Sequence, residues 1–312
     1  MTNGTGARGG AGVCVIGNAA IDMTLRVAAL PQPGETSLAL DSTLDFGGKG
    51  ANQAVIAARA GAAVTLLAAV GCDAEGARII AMLEREHVDT RYVVQLDCAT
   101  DLSVVTVDAC GENTIVTRSD AANRYAPDED ALDASSRVGD WIVLQGNLSR
   151  AVTAALLRHA RRGGRRTLLN PGPAQYDCRA LLPDVDVLVV NRVEAAALSG
   201  LTDSHRAAQA LRRAGAANVL VTLGAEGIIW CHGDGEPVDV PTLRAVAAVD
   251  TVGAGDALCG MLAAALARGL SVGDALPDAM AVAAYVVSRR GTQASFPGRE
   301  LMSELATFIR TR

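Results

Sequence analysis

Gly253-Ala254-Gly255-Asp256 opens a run of small and apolar residues that continues to Ala267. The run predicts a deeply buried helix, and the glycines at its start leave backbone N–H groups unshielded. A helix start of this kind offers unpaired donors and the positive end of a dipole. Both suit the charge that builds on a transferring phosphoryl group. Asp256 falls in the first turn, where it could take a proton from a hydroxyl bound beside that anion hole. Alone, the motif reads more readily as a glycine turn followed by an acid that satisfies the helix dipole. Other segments reverse that preference.

Gly47-Gly48-Lys49-Gly50-Ala51-Asn52-Gln53 opens a second helix. It is not a P-loop, because G-x-x-x-x-G-K-[ST] is absent. Its glycines let a ligand approach the backbone, while Lys49 and Asn52 offer hydrogen bonds to hydroxyls; a tight turn with a solvated lysine explains it equally well. Asp22 lies five residues beyond Gly17, where the first expected strand ends. Ligands of open α/β sheets bind beyond the carboxyl ends of strands. A carboxylate there can accept from two neighbouring hydroxyls and discriminate between acceptors, or it is simply a loop-entry acid. Asn191-x-x-Glu194 follows another expected strand and could reach a phosphate or the water shell of Mg²⁺, although helix capping is simpler in isolation. Thr222-Leu223-Gly224-Ala225-Glu226-Gly227 could hold a nucleotide with its backbone, or be a plain turn between strands.

These segments need a frame to bring them together. Short apolar runs predict strands over Val13–Gly17, Val64–Val70, Trp141–Gln145, Arg166–Asn170, Val185–Val190, Val219–Leu223 and Gly227–Cys231. Helical patterns fall near Ala51–Ala60, Ala77–Glu86, Ala151–Arg162 and Ser204–Ala214, and the last third adds Ala254–Ala267, Pro277–Arg290 and Glu300–Ile309. Continuous apolar strands between amphipathic helices indicate an α/β fold, a mostly parallel sheet covered on both faces. Thr36–Phe46 and Leu102–Thr117, the latter with a turn at Cys110-Gly111-Glu112-Asn113, alternate in polarity instead. They predict hairpin-like strands outside the central sheet, a small β lid.

Composition sets outer bounds. Among 312 residues half are hydrophobic but only 3% aromatic, so the core must be built of Ala, Val, Leu and Ile. A net charge of −6 with both signs interspersed argues against nucleic acid or an anionic membrane as main partner. Seven cysteines and four histidines show no C-x-x-C spacing or clustering, which predicts reduced thiols, a cytoplasmic setting and no zinc site. No uncharged apolar run reaches the length of a membrane span. Residues 1–12 read as a disordered lead-in and residues 13–312 as one domain, without internal repeat or linker.

Together the motifs resemble the ribokinase-like (PfkB) family of carbohydrate kinases. Pro33-Gly34-Glu35-Thr36, Gly47–Gln53, Asn170-Pro171-Gly172-Pro173-Ala174, Asn191–Glu194, Val221–Gly227, Asp250–Asp256 and Arg290-Gly291-Thr292-Gln293-Ala294-Ser295 stand in that family's order. The resemblance spans nearly all of Val13–Ile309. It implies a Rossmann-like body with a β lid that often serves as a dimer interface. It also implies an enzyme that uses ATP and Mg²⁺ to phosphorylate a primary hydroxyl of a sugar, ribose or a related pentose or ketose. By resemblance Asp256 is the base, with Gly253, Ala254 and Gly255 as the anion hole. Asp22, Gly48, Lys49, Asn52 and Asn147 would hold the sugar, and Asn191, Glu194, Thr222, Gly224 and Gly227 the nucleotide with Mg²⁺. An activating K⁺ would lie at Asp250 and the carbonyls of Val252, Val286, Arg289, Gly291 and Ser295.

Two positions depart from the family pattern. Ribokinases typically show Gly-Ser-x-Asn-x-Asp after the first strand, and Ala20 stands where that Asn belongs. Asn147 replaces the expected acidic sugar ligand. Gly17-Asn18-x-x-x-Asp22 is also similar to nucleoside kinases of the same superfamily, which keeps a nucleoside acceptor open. An NAD(P)-dependent oxidoreductase fits poorly, since no G-x-G-x-x-G follows the first strand. A non-catalytic sugar-binding relative would have little reason to keep both Asp256 and its glycines.

Overall fold

Along the first strand, side chains alternate between two apolar cores: Val13 and Val15 join one, Cys14 and Ile16 the other. That alternation is the layer plan of the molecule. The structure is a computed structural model that describes residues 10–110, 113–242, 246–302 and 304.

The described strands are β1 (Val13–Ile16), β2 (Ala20–Arg26), β3 (Asp41–Gly47), β4 (Val64–Gly71), β5 (Asp89–Leu96), β6 (Asp101–Val107), β7 (Asn113–Arg118), β8 (Trp141–Gln145), β9 (Arg166–Asn170), β10 (Val187–Asn191), β11 (Asn218–Thr222), β12 (Ile228–His232) and β13 (Val238–Val240). The helices are α1 (Lys49–Arg59), α2 (Ala74–Arg85), α3 (Asp120–Arg124), α4 (Glu129–Ser135), α5 (Arg150–Arg162), α6 (Arg192–Ser199), α7 (Ser204–Arg213), α8 (Ala254–Ala267) and α9 (Val272–Val287). One sheet has the order β13-β12-β11-β10-β9-β8-β1-β4-β5. Its pairs are parallel except β11 with β12 and β12 with β13. Buried residues of α1, α2, α8 and α9 cover one face, and those of α5, α6 and α7 the other.

The sheet is wound outward in both directions from β1, which lies between β8 and β4. The carboxyl end of β1 is thus a switch point of the kind where open α/β sheets form a binding crevice. There the chain leaves the sheet and enters β2, the centre of a second sheet of order β3-β2-β6-β7.

The central strands match expectation within one or two residues. The lid differs more. Its strand β3 begins only at Asp41, and β2 was not expected, because Asp22 and Thr24 interrupt its apolar run. The 102–117 segment does form the hairpin β6–β7, although Gly111 and Glu112 of its turn lie outside the described residues. Helix α9 starts five residues before the expected Pro277. Ser271 caps it by accepting from the Asp274 N–H, and Pro277 sits inside, forgoing one backbone bond. The expected lead-in falls mostly on residues 1–9, and most of the helix expected over Glu300–Ile309 on 303 and 305–312; these lie outside the described residues.

Candidate active site

Helix α8 begins directly after Gly253, which adopts φ +79°, a left-handed conformation that glycine takes without penalty. A Cβ there would also approach the Phe296 ring to 3.0 Å. No side chain caps this end, so first-turn N–H groups stay available. That of Ala254 makes only a long 3.4 Å bond to the Thr251 carbonyl. Around Gly255 the space is open, with no heavy atom within 4 Å of an added Cβ. An anion can therefore approach the helix start.

Asp256 follows, 5% exposed. It is met by α1, which packs against α8 at Gly260: an added Cβ would lie 2.6 Å from the Gln53 carbonyl and 2.8 Å from Ile56. This close approach aims the first turn and a half of α1 at the carboxylate. Asn52 Nδ2 donates to Oδ2 at 3.0 Å, Gln53 Nε2 to Oδ1 at 3.0 Å, and Lys49 Nζ lies 3.5 Å from Oδ1. The Asp256 charge in turn pushes the Lys49 ammonium above its ordinary value, against the opposing effect of burial. Lys49 is therefore a persistent cation beside the base.

The segment after α9 closes the arrangement. Gln293 Nε2 donates to Asn52 Oδ1 at 3.0 Å, and Thr292 Oγ1 donates to Asp22 Oδ2 at 3.1 Å. Asp22 stands on β2, paired in register with Asp45 of β3 and Ser103 of β6. Burial pushes its carboxyl up to about 6; the Thr292 bond opposes this, while the Asp45 and Asp256 charges add to it. Gly48, at φ +88°, sits against the backbone of Asn18 and Ala19. Beyond β8, Asn147 Oδ1 is buried without a hydrogen-bond partner. Asp22, Asn52, Lys49 and Asp256 are thus linked through shared partners and charges, whereas Asn147 stands apart, holding an unsatisfied acceptor.

On the other side of α8 lies a cleft of about 260 Å³. Thr222, Gly224 and Gly227 line one wall, Leu258, Met280 and Ala284 another, and Thr251, Ala254 and Gly255 its end at the helix start. The cleft is chiefly apolar, as an aromatic base requires. Asn191 and Glu194 form a capping box at the start of α6: Asn191 Oδ1 accepts the Glu194 N–H at 2.8 Å, and Glu194 Oε2 accepts the Asn191 N–H at 2.9 Å. The simpler reading of these two residues is realised here. Glu194 nevertheless packs against Gly172 close to the Lys49 side chain, so it faces the same crevice.

Asp250 ties two loops together, accepting from Val252 N–H at 3.0 Å and from Gly291 N–H at 3.1 Å. The Val286 carbonyl accepts the Arg289 N–H at 3.0 Å. Ser295 Oγ donates to the Thr292 carbonyl at 2.7 Å. Three residues at the centre were given no role from sequence: Gln53, Thr292 and Gln293, although each lies inside a recognised motif. Gln145, which donates to Gln53 Oε1 at 2.8 Å, was read only as the end of a strand. For Gln145 the signal was a polar residue closing an apolar strand run.

Comparison with known proteins identifies the family. The family model "pfkB family carbohydrate kinase" matches residues 11–299. The chain is 36% identical to the ribokinase of Mus musculus over 299 residues, covering 92% of each chain. It is 34% identical to the deoxyribokinase of Salmonella typhi over 306 residues, covering 94% of this chain and 97% of the relative. The structure of the Arabidopsis thaliana ribokinase complexed with ribose and ATP superposes with a TM-score of 0.85 at 26% identity, covering 96% of this chain and 99% of that one. The oxidoreductase reading is thereby set aside. A glycine-led helix start, a clamped carboxylate beside it and an apolar cleft opening onto both occur in a chain that belongs to the pfkB family of carbohydrate kinases and is an ATP-dependent sugar kinase.

Proposed function

We propose that the chain transfers the γ-phosphoryl group of ATP to the primary hydroxyl of a free pentose, ribose or a close relative, with Asp256 as general base. One observation carries this reading: the cleft ends on Ala254 and Gly255, and the Asp256 carboxylate is the next residue along. Adenine fits among Leu258, Met280 and Ala284, with Thr222, Gly224 and Gly227 along the ribose and phosphates. The N–H groups of Gly253, Ala254 and Gly255 receive the charge that develops on the transferring group. Asp256 takes the hydroxyl proton as the oxygen attacks in line, and Lys49 adds a cation beside both. Asp22, Asn52 and the Gly48 backbone orient the sugar, and the unpaired Asn147 Oδ1 accepts from one of its hydroxyls.

Bound Mg²⁺ would neutralise phosphate charge. Asn191 and Glu194 could hold its water shell, provided one capping bond is exchanged for water. Asp250, with carbonyls of Val252, Val286, Arg289, Gly291 and Ser295, suits K⁺. The carboxylate already draws the 252 and 291 segments together. The lid supports a homodimer, since Leu44 and Val116, in one row across the sheet with Met23 and Val104, are 55% and 69% exposed. No helix among the described residues is long and apolar enough to cross a membrane. The described cysteines are free thiols, which supports a cytoplasmic location.

The deciding experiment is Asp256→Asn. Retention of more than about a tenth of wild-type kcat overturns the base assignment. A second acceptor, 2-deoxyribose, is favoured by Ala20, which is buried and offers no hydrogen bond where the family pattern places an amide. An acceptor lacking one hydroxyl loses nothing at such a position. Turnover of ribose, 2-deoxyribose, fructose, adenosine and inosine with ATP ranks the candidates. Rapid turnover of a nucleoside with none of any free sugar rejects the pentose reading.

A further inference from the structure

The Asp256 carboxylate is the end point of two chains of buried amides. On one side Gln145 Nε2 donates to Gln53 Oε1 at 2.8 Å, and Gln53 Nε2 donates to Asp256 Oδ1 at 3.0 Å. On the other, Gln293 Nε2 donates to Asn52 Oδ1 at 3.0 Å, and Asn52 Nδ2 donates to Asp256 Oδ2 at 3.0 Å. The members come from the end of β8, the start of α1 and the segment after α9. Gln53 and Gln145 are fully buried, so neither can touch a sugar bound in the crevice.

We propose that Gln53 and Gln145 are positioning residues for the phosphoryl-transfer base, an oriented amide relay that holds Asp256 and faces it only with donors. An ionised carboxylate can only accept. It therefore dictates that Gln53 and Asn52 present their NH₂ groups, which sends their carbonyl oxygens outward. Gln145 and Gln293 then supply the donors that those oxygens need. Each amide fixes the orientation of the next, and at low dielectric such chains polarise cooperatively. A flipped Gln53 would set its oxygen against the carboxylate, and Gln145 opposes the flip because its own NH₂ would then face another NH₂. With both oxygens of the base held in this way, the lone pair that receives the proton keeps one direction in every turnover.

The outer end of the relay shows that its orientation is set from within. Gln145 Oε1 is buried without a partner and lies against Gly17, where any added Cβ would collide with it. A buried acceptor left unpaired is costly. Turning the amide would set its oxygen against Gln53 Oε1 and lose the one bond this side chain makes. The structure keeps the arrangement that serves Asp256.

The proposal rests on Asp256 being the base, so Asp256→Asn is measured alongside. The variants are Gln53→Met, Gln145→Met, their double mutant and Gln145→Glu, each checked for folding by circular dichroism and melting. Gln53→Met should lower kcat about tenfold, the loss of a hydrogen bond to a charged group, with the KM for ATP within about twofold of wild type. Gln145→Met should lower kcat by about threefold alone and add nothing in the Gln53→Met background, because Gln145 acts only through Gln53. Gln145→Glu should be about tenfold worse than Gln145→Met, since an acceptor there turns the Gln53 NH₂ away from the base. Equal kcat for the two Gln145 variants, or an undiminished effect of Gln145→Met without Gln53, overturns the relay. If Gln53→Met does not fold, the Gln145→Glu and Gln145→Met comparison decides. An active Asp256→Asn enzyme defeats the base assignment instead, so the two failures are distinguishable.

Discussion

The two sides of this crevice, one proposed for the acceptor and one for the nucleotide, are built on opposite plans. Around Asp256, side chains are held by other side chains from far along the sequence. Asn52, Gln53, Gln145, Thr292 and Gln293 all make bonds spanning more than ninety residues. The cleft proposed for the nucleotide is shaped by small residues, glycine turns and helix backbone, with Thr222, Thr242 and Thr251 as its polar side chains. Asn191 and Glu194, outside its lining, bond to each other's backbone within one turn. The difference fits the proposed task. A proton must be taken from one atom in one direction, which requires preorganised polar groups. A flat base and a flexible phosphate chain need a slot and a dipole.

The largest effect that tests this contrast is on the acceptor side. Asp256→Asn should lower kcat by about 10²–10⁴-fold in steady-state assays, with the melting temperature little changed. Next comes Gly260→Ala, remote from both substrates. Its Cβ would press on Gln53 and Ile56 and push α1 off α8. It should cost about 1–3 kcal/mol of stability, read by denaturant unfolding. It should also lower kcat at least about tenfold, because Asn52 and Gln53 lose their register with the base. Loss of stability with full kcat would show that the amide clamp tolerates displacement.

Two further predictions separate the halves by substrate. Ala284→Leu narrows the cleft and should raise the KM for ATP about tenfold while the sugar KM and kcat hold; an equal rise in both KM values would mean that the halves are coupled. Asp22 gives a pH signature confined to the acceptor side. Its carboxyl stands at about 6 against an ordinary 3.8. Ionised Asp22 accepts from two hydroxyls, so the sugar KM should rise about tenfold between pH 7.5 and 5, and Asp22→Asn should flatten that dependence. For stability the sign is set by burial. Between 3.8 and about 6 the unfolded chain releases its proton first, so the Asp22 contribution is full below 3.8, declines as pH rises through that window and is flat above it. The smallest effect belongs to Asn191→Ala, which removes a helix cap and should cost about 0.5–2 kcal/mol in thermal unfolding. An accompanying rise in the Mg²⁺ concentration needed for half-maximal activity distinguishes a metal role from capping alone.

Much of the central sheet was legible because its strands are continuous apolar runs that no helix period matches. The β lid was harder. Strand β2 carries Asp22 and Thr24 on a half-exposed sheet, and its pairing partners lie 15 to 27 residues away in β3 and 81 away in β6. Gln53, Gln145 and Gln293 were passed over for a related reason. A glutamine in a buried stretch has no local partner to announce it, and its role exists only where α1, α8 and the end of β8 meet.

Residue order alone determined the sheet, the glycine-led start of α8 and the presence of Asp256 in its first turn, because strand period, helix composition and glycine placement are local properties. Those same properties left Asp256 as readily a dipole acid as a base. Only the tertiary structure supplies what favours the base. It packed Gly260 against α1, brought two amides and an ammonium onto one buried carboxylate, and opened a cleft at the adjoining helix end. A proton acceptor is made by the direction and company of its oxygens, and those are set by contacts that no spacing along the chain records.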